Sequence, residues 1–243
     1  MTSAGHAKGR PCLPQLMLIT DASRPERVLD RTRAALEGLT DDAGLLPSSR
    51  VAVQLRDKTS SARALLDLAK ELRVLTGDAG CQLLINGRAD VALAVDADGV
   101  HLPETGVEAS RLRTLCGDRL LIGRSCHDRA GLLRALEEGA DYALLSPFFT
   151  VPSKGAPLDR AELATWGREM KLPWLALGGI DPIRVAESLE YGATGVAVVR
   201  AVYAAEEPRR ALDRFRRALV DPASDPQRPR RSPAPLDSDS RSE

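Results

Sequence analysis

Eight apolar runs of strand length, each followed by a helix-like stretch, set the strongest limit on what this chain can fold into. The runs cover residues 16–20, 51–55, 82–85, 99–101, 120–123, 142–145, 174–177 and 196–199. The helix-like stretches cover 24–39, 61–75, 88–95, 110–115, 129–138, 159–170, 183–190 and 209–220. In the second of these, Leu65, Leu66, Leu68, Ala69 and Leu72 form one apolar stripe at helical spacing. A strand, a helix and another strand read as a parallel βαβ unit. Eight such units in 243 residues favour one closed (β/α)8 barrel, an α/β TIM barrel, over an open sheet. The open doubly wound alternative lacks its GxGxxG turn, because DASRPE follows Thr20. The barrel is expected over residues 14–220, with a flexible N-terminus over 1–13. A tail over 221–243, rich in Pro, Ser, Asp and Arg, is expected to be disordered.

Aromatic residues make up only 3% of the chain, so its core must rest on Leu, Val and Ala. Thirty-four basic and 34 acidic residues cancel, which leaves no bulk field for nucleic acid or a membrane. Cys12, Cys81, Cys116 and Cys126 are scattered, without zinc-like or disulfide-like spacing. A reducing, cytoplasmic setting follows as the expectation. No apolar signal core or bilayer-length segment is present.

Ligand-binding residues of such a barrel gather at the C-terminal ends of its strands. The first strand leads to Thr20 and Asp21. The second offers Gln54, Arg56 and Lys58, two apart and therefore on one face of an extended segment, suited to an anion. The competing reading is an outer face neutralised by Asp57. Asn86 follows the third strand as a turn residue or a ligand contact, since Asn-Gly is a common turn dipeptide. His101 sits inside the fourth strand and reads as a hydrogen-bonded core residue. The fifth leads to Arg124, Ser125, Cys126 and His127. His127 is placed for acid/base work, or else for a cap or the surface. Cys126 shows no thiol-activating neighbours and reads as a small buried residue. Lys154 lies near the end of a long loop that would suit a lid.

The last two strand ends point to phosphate. WLALGGID ends in Gly178 and Gly179 before a helix-like start, and GVAVVR ends in Val199 and Arg200. Glycines let backbone N–H groups approach an anion, and a helix start adds partial positive charge.

Taken in order, LITD, VQLRDK, INGRADVAL, DGVHLPE, IGRSCH, ADYALLSPFFTVPSKG, LALGGI and GVAVVRAV resemble the thiamine phosphate synthase/TenI superfamily from Leu16 to Val220. The resemblance implies a (β/α)8 barrel and one of two activities. A synthase joins hydroxymethylpyrimidine diphosphate to thiazole phosphate with loss of diphosphate. It would use Gln54, Arg56, Lys58 and Asn86, with magnesium on two Asp residues. Here Gly87 and Gly106 stand at those two places. TenI-type thiazole tautomerases read NGR, LP and GRSxH, as this chain does at Asn86–Arg88, Leu102–Pro103 and Gly123–His127. That likeness implies isomerisation of a carboxythiazole phosphate by His127, with no metal and no cofactor.

The expectation is therefore a tautomerase. A synthase with a displaced magnesium site is the alternative, and a non-catalytic binder of thiazole or thiamine phosphate is the second alternative. The expected partner is a small thiazole phosphate, bound by Gln54, Arg56, Lys58, Asn86, Ser125 and Lys154, with its phosphate on Gly178, Gly179, Val199 and Arg200. Neither nucleic acid nor a membrane is expected as a partner, and a homo-oligomer is compatible with the sequence.

Overall fold

The computed structural model describes residues 11–20, 25–152 and 155–222. Eight parallel strands close on themselves: β1 (Leu16–Ile19), β2 (Val51–Leu55), β3 (Gln82–Asn86), β4 (Gly99–Leu102), β5 (Leu121–Cys126), β6 (Tyr142–Leu145), β7 (Trp174–Leu177) and β8 (Gly195–Val198). Closure is direct, because Leu16 pairs with Val51 on one side and Val196 on the other. Around the strands run α1 (Val28–Leu36), α2 (Ala62–Asp78), α3 (Ala89–Ala94), α4 (Ala109–Cys116), α5 (Arg129–Glu137), α6 (Arg160–Trp166), α7 (Val185–Glu190), α8 (Arg200–Tyr203) and α9 (Pro208–Val220). The chain is a (β/α)8 barrel.

The strands are buried on both faces, yet they still alternate. Leu16, Leu18, Val51, Val53, Leu83 and Ile85 face the helices. Met17, Ile19, Ala52, Leu84, Leu121, Tyr142, Leu144, Leu175 and Ala197 fill the interior. Period-two side chains on a closed sheet require this division. Few aromatics are available, so Tyr142 takes a large share of the interior. Its register partner is Gly123, where a Cβ would lie 2.1 Å from the ring carbon Cζ. Small opposite large is how the tapering interior is filled.

Helix starts follow local chemistry. Ser61 caps α2 by accepting from the Ala64 N–H at 3.2 Å, and Asp159 caps α6 by accepting from Ala161 and Glu162. Such caps contribute about 0.5–2 kcal/mol each. The α2 stripe buries Leu65, Ala69, Leu72 and Thr76, while Leu66 and Leu68 are only partly covered.

The expected N-terminal and C-terminal segments fall mostly outside the described residues. Within them, the Cys12 carbonyl accepts from Gln82 Nε2 at 2.7 Å and the Leu13 carbonyl from Arg50 Nη1 at 3.0 Å. Arg216 of α9 is fully buried and donates to the carbonyls of Leu46 (2.7 Å) and Thr40 (2.8 Å). Its remaining charge faces Asp213 and Asp41. Among the described residues no helix is long and apolar enough to cross a membrane.

Candidate active site

The C-terminal strand ends enclose two adjoining clefts. The larger, about 460 Å³, gathers Gln54, Arg56, Lys58, Asn86, Ser125 and His127 with Thr20, His101, Glu104 and Ser146. The smaller, about 320 Å³, gathers Gly178, Gly179, Val199 and Arg200 with Thr150 and Ala201. Leu177 and Val199 line both. Lys154 and Asp21 lie outside the described residues.

Gln54 is buried at the end of β2, with Nε2 3.1 Å from Met17 Sδ. Thr20 then clasps the backbone of Arg56. Its Oγ1 accepts from the Arg56 N–H at 2.9 Å and donates to the Arg56 carbonyl at 3.2 Å. Asp57 turns away. Burial alone would raise its pKa, but hydrogen bonds from Ser60 and Thr59 outweigh that and hold it at about 2. Its carboxylate is taken up by those hydrogen bonds and makes no ion pair with Arg56 or Lys58. Among the described residues, no carboxylate lies within ion-pair distance of Arg56 or Lys58. Asn86 lines the cleft and also opens a turn, since Gly87 has φ +70° and donates its N–H to the His101 carbonyl at 2.9 Å.

His101 belongs to the core and to the cleft at once. Nδ1 lies 3.2 Å from Tyr142 Oη and Nε2 2.9 Å from Ser125 Oγ. Burial, reinforced by the Arg124 and Arg56 charges, lowers its pKa to about 3. A neutral ring has one N–H and one lone pair, so it donates to one hydroxyl and accepts from the other. Ser125 is oriented by that exchange.

β5 runs on to Cys126, three residues beyond its expected end at Gly123. Asp128 then caps α5 by accepting from the Gly131 N–H at 2.7 Å, which pins His127 at the strand-to-helix corner. His127 Nδ1 donates to the Ser146 carbonyl at 2.5 Å. Nε2 is left 3.6 Å from Glu104 Oε2, at the open side of the cleft. Arg124 points the other way. Its guanidinium donates to the carbonyls of Val107 (2.6 Å) and Glu104 (3.1 Å) and so holds the loop that carries Glu104. Burial pushes the Cys126 thiol up to about 12, so it is no thiolate.

The glycine pair has a packing reason that the sequence did not show. The loop after β6, which begins with a cis Ser146–Pro147 bond, folds over the end of β7. Phe148 and Phe149 donate their N–H groups to the carbonyls of Leu177 (2.8 Å) and Gly178 (2.9 Å). Gly179 has φ +65°, and a Cβ there would lie 2.8 Å from Phe149 Cβ. Outside that loop, the Arg160 guanidinium sits 4.0 Å from the Phe148 ring, 4.6 Å from Phe149 and 5.3 Å from Tyr191. Its Nε donates to Glu187 at 3.1 Å. Arg184 Nη1 holds the Gly179 carbonyl at 2.6 Å. Nothing in the local sequence around Arg160 signals this role. A further difference lies past β8. The expected strand reaches Val199, but the strand stops at Val198 and Arg200 opens the one-turn α8.

The implied magnesium can be tested against these residues. Position 87 is a glycine, and a Cβ at Gly106 would lie 3.0 Å from the Pro103 carbonyl oxygen. Among the described residues, no three His, Cys, Asp or Glu side chains are grouped to hold an ion. A magnesium site built on two carboxylates at positions 87 and 106 does not fit this chain.

The thiamine monophosphate synthase family profile (TMP-TENI) matches residues 16–202. A thiamine-phosphate synthase of Chloroflexus aurantiacus is 42% identical over 171 residues, covering 69% of this chain and 78% of that protein. One from a Roseiflexus species is 38% identical over 203 residues, covering 82% and 85%. The solved thiamine phosphate pyrophosphorylase of Pyrococcus furiosus superposes with a TM-score of 0.72 at 32% identity, covering 86% of this chain and 96% of that one. These synthases overturn the expectation of a tautomerase. The NGR, LP and GRSxH stretches behind that expectation shape a turn at Gly87, a tight loop at Pro103–Gly106 and a helix start after His127. Such features fix local backbone and leave the reaction open. Over most of its length the chain belongs to the thiamine monophosphate synthase family.

Proposed function

We propose that this chain is a thiamine phosphate synthase, joining hydroxymethylpyrimidine diphosphate to thiazole phosphate. One observation carries the reading beyond family membership. Two clefts meet at Leu177 and Val199, one with Arg56 and Lys58, which have no carboxylate partner among the described residues, and one lined by glycine backbone and a helix start. That arrangement suits two phosphorylated substrates brought together, whereas an isomerase needs a place for one.

In this reading the thiazole phosphate lies against Gly178, Gly179, Val199 and Arg200, where N–H groups and the α8 start favour an anion. The diphosphate lies against Arg56 and Lys58, with Gln54, Asn86 and Ser125 orienting the pyrimidine between them. A ring nitrogen of the thiazole forms a bond to the pyrimidine methylene carbon. The carbon–oxygen bond to diphosphate breaks, and its electron pair leaves with the diphosphate. Holding the partners in line removes much of the entropic barrier, and the cations favour the departing charge. His127, fixed through Ser146 and facing Glu104, borders the diphosphate side of the cleft and has no proton to move in this step.

The test is direct. Purified protein given both substrates should release thiamine phosphate and diphosphate in equal amounts, as read by chromatography. If both substrates come back unchanged, the proposal is refuted.

A further inference from the structure

The charge balance of the larger cleft departs from what a metal-seating synthase needs. Each nearby carboxylate on the described residues is already committed. Asp57 accepts from Thr59 and Ser60. Asp90 is held by Arg88 in a two-point contact of 2.8 and 2.6 Å. Asp128 caps α5. Asp98 accepts from the Leu83 N–H and from Arg73, at the opposite end of the barrel. Among the described residues only Glu104 brings a carboxylate to the cleft, and it faces His127. Arg56 and Lys58, by contrast, have no carboxylate partner among the described residues.

Magnesium keeps near-octahedral oxygen coordination and is normally fixed through one or two protein carboxylates besides the phosphates it bridges. Arg offers a planar fork matched to phosphate oxygens, and Lys a point charge. We propose that this chain seats no divalent cation on its own carboxylates, so that the charge of the diphosphate falls to the Arg56 and Lys58 contacts of the synthase reading. The inference rests on the synthase reading and concerns only how the leaving group's charge is answered.

The experiment titrates the full chain by calorimetry with inorganic pyrophosphate in EDTA, with pyrophosphate in excess magnesium chloride, and with magnesium chloride alone. Pyrophosphate should bind in EDTA, and magnesium alone should give no binding. Arg56→Gln should weaken pyrophosphate by about 10- to 100-fold, the range for one lost charge-assisted hydrogen bond. Lys58→Gln, an exposed position with little bearing on folding, should weaken it by about 10-fold. Three results would overturn the inference: pyrophosphate binding only with magnesium present, magnesium binding alone that disappears in Glu104→Gln, or an unchanged pyrophosphate Kd in both cation variants. Product formation separates the two levels. Synthesis together with magnesium-dependent pyrophosphate binding removes this inference alone, whereas no synthesis and no pyrophosphate binding removes the synthase reading with it.

Discussion

Replacing Arg160 with methionine should lower the melting temperature by about 2–8 °C. The guanidinium faces three rings, at 4.0, 4.6 and 5.3 Å. Such contacts contribute about 0.5–1 kcal/mol where solvated and about 2 kcal/mol where dry. Phe148 is fully buried, so the nearest contact belongs to the dry end. Against this, Arg160 Nη1 is buried without an acceptor, at a cost of about 1–3 kcal/mol. Methionine keeps the apolar stem and removes the unpartnered N–H along with the charge. The net loss is then about 1–2 kcal/mol, and each kcal/mol moves the midpoint of a chain this long by about 2–4 °C. Thermal melts of wild type, Arg160→Met and Arg160→Lys read the effect directly. Lysine should recover less than half, since a hydrated point charge cannot lie flat against several rings. The loop held by Arg160 also borders the smaller cleft, so KM for thiazole phosphate should rise more than KM for the pyrimidine substrate. A methionine variant that melts at or above wild type would show that the rings merely pack around the side chain.

Two further outcomes are expected. Gly179→Ala places a methyl group 2.8 Å from Phe149 Cβ at φ +65°. A non-glycine residue there loses about 1–2 kcal/mol, and the loop must shift, so calorimetry should show thiazole phosphate binding weakened at least ~10-fold; an unchanged Kd would move the anion elsewhere. His101 sets a pH dependence whose sign is fixed by its lowered pKa. Below pH 6.5 the unfolded ring takes a proton that the folded ring refuses until about pH 3. Stability therefore falls with falling pH across that window, by about 1.4 kcal/mol per unit for this group. Urea melts at a series of pH values should show that slope reduced in His101→Gln; an identical slope in the two proteins would mean that the native ring is already charged.

All eight strands were legible in the sequence because a strand covered on both faces reads as an unbroken apolar run. Boundaries were harder. The end of β5 hides in GRSC, whose polar residues resemble a loop until His101 supplies a partner for Ser125 and the loop carbonyls one for Arg124. Val199 reads as strand because it is β-branched, yet it lies between β8 and α8 as the residue that precedes the helical turn. The cationic residues just past β2 could be picked out from spacing, since an extended segment of period two puts Arg56 and Lys58 on one side. Arg160 could not, because its rings come from residues 148, 149 and 191, which are brought together only by the closed barrel. Gly178 and Gly179 read in the sequence as room for an anion, whereas the packing that would bring a Cβ at Gly179 to 2.8 Å from Phe149 Cβ is invisible there. NGR, LP and GRSxH point to a tautomerase in the sequence, but in the fold they shape turns and a helix start and do not mark the reaction.

Arg216 has a consequence for how the barrel is made. Its guanidinium supplies hydrogen-bond donors to the carbonyls of Leu46 and Thr40, while its own carbonyl accepts the Leu46 N–H. During translation the stretch from 40 to 46 emerges more than a hundred and fifty residues before its donor does. Until α9 is made, the carbonyls of Thr40 and Leu46 lack the guanidinium that pairs them. The connection between α1 and β2 therefore cannot reach its final hydrogen bonding until α9 is in place.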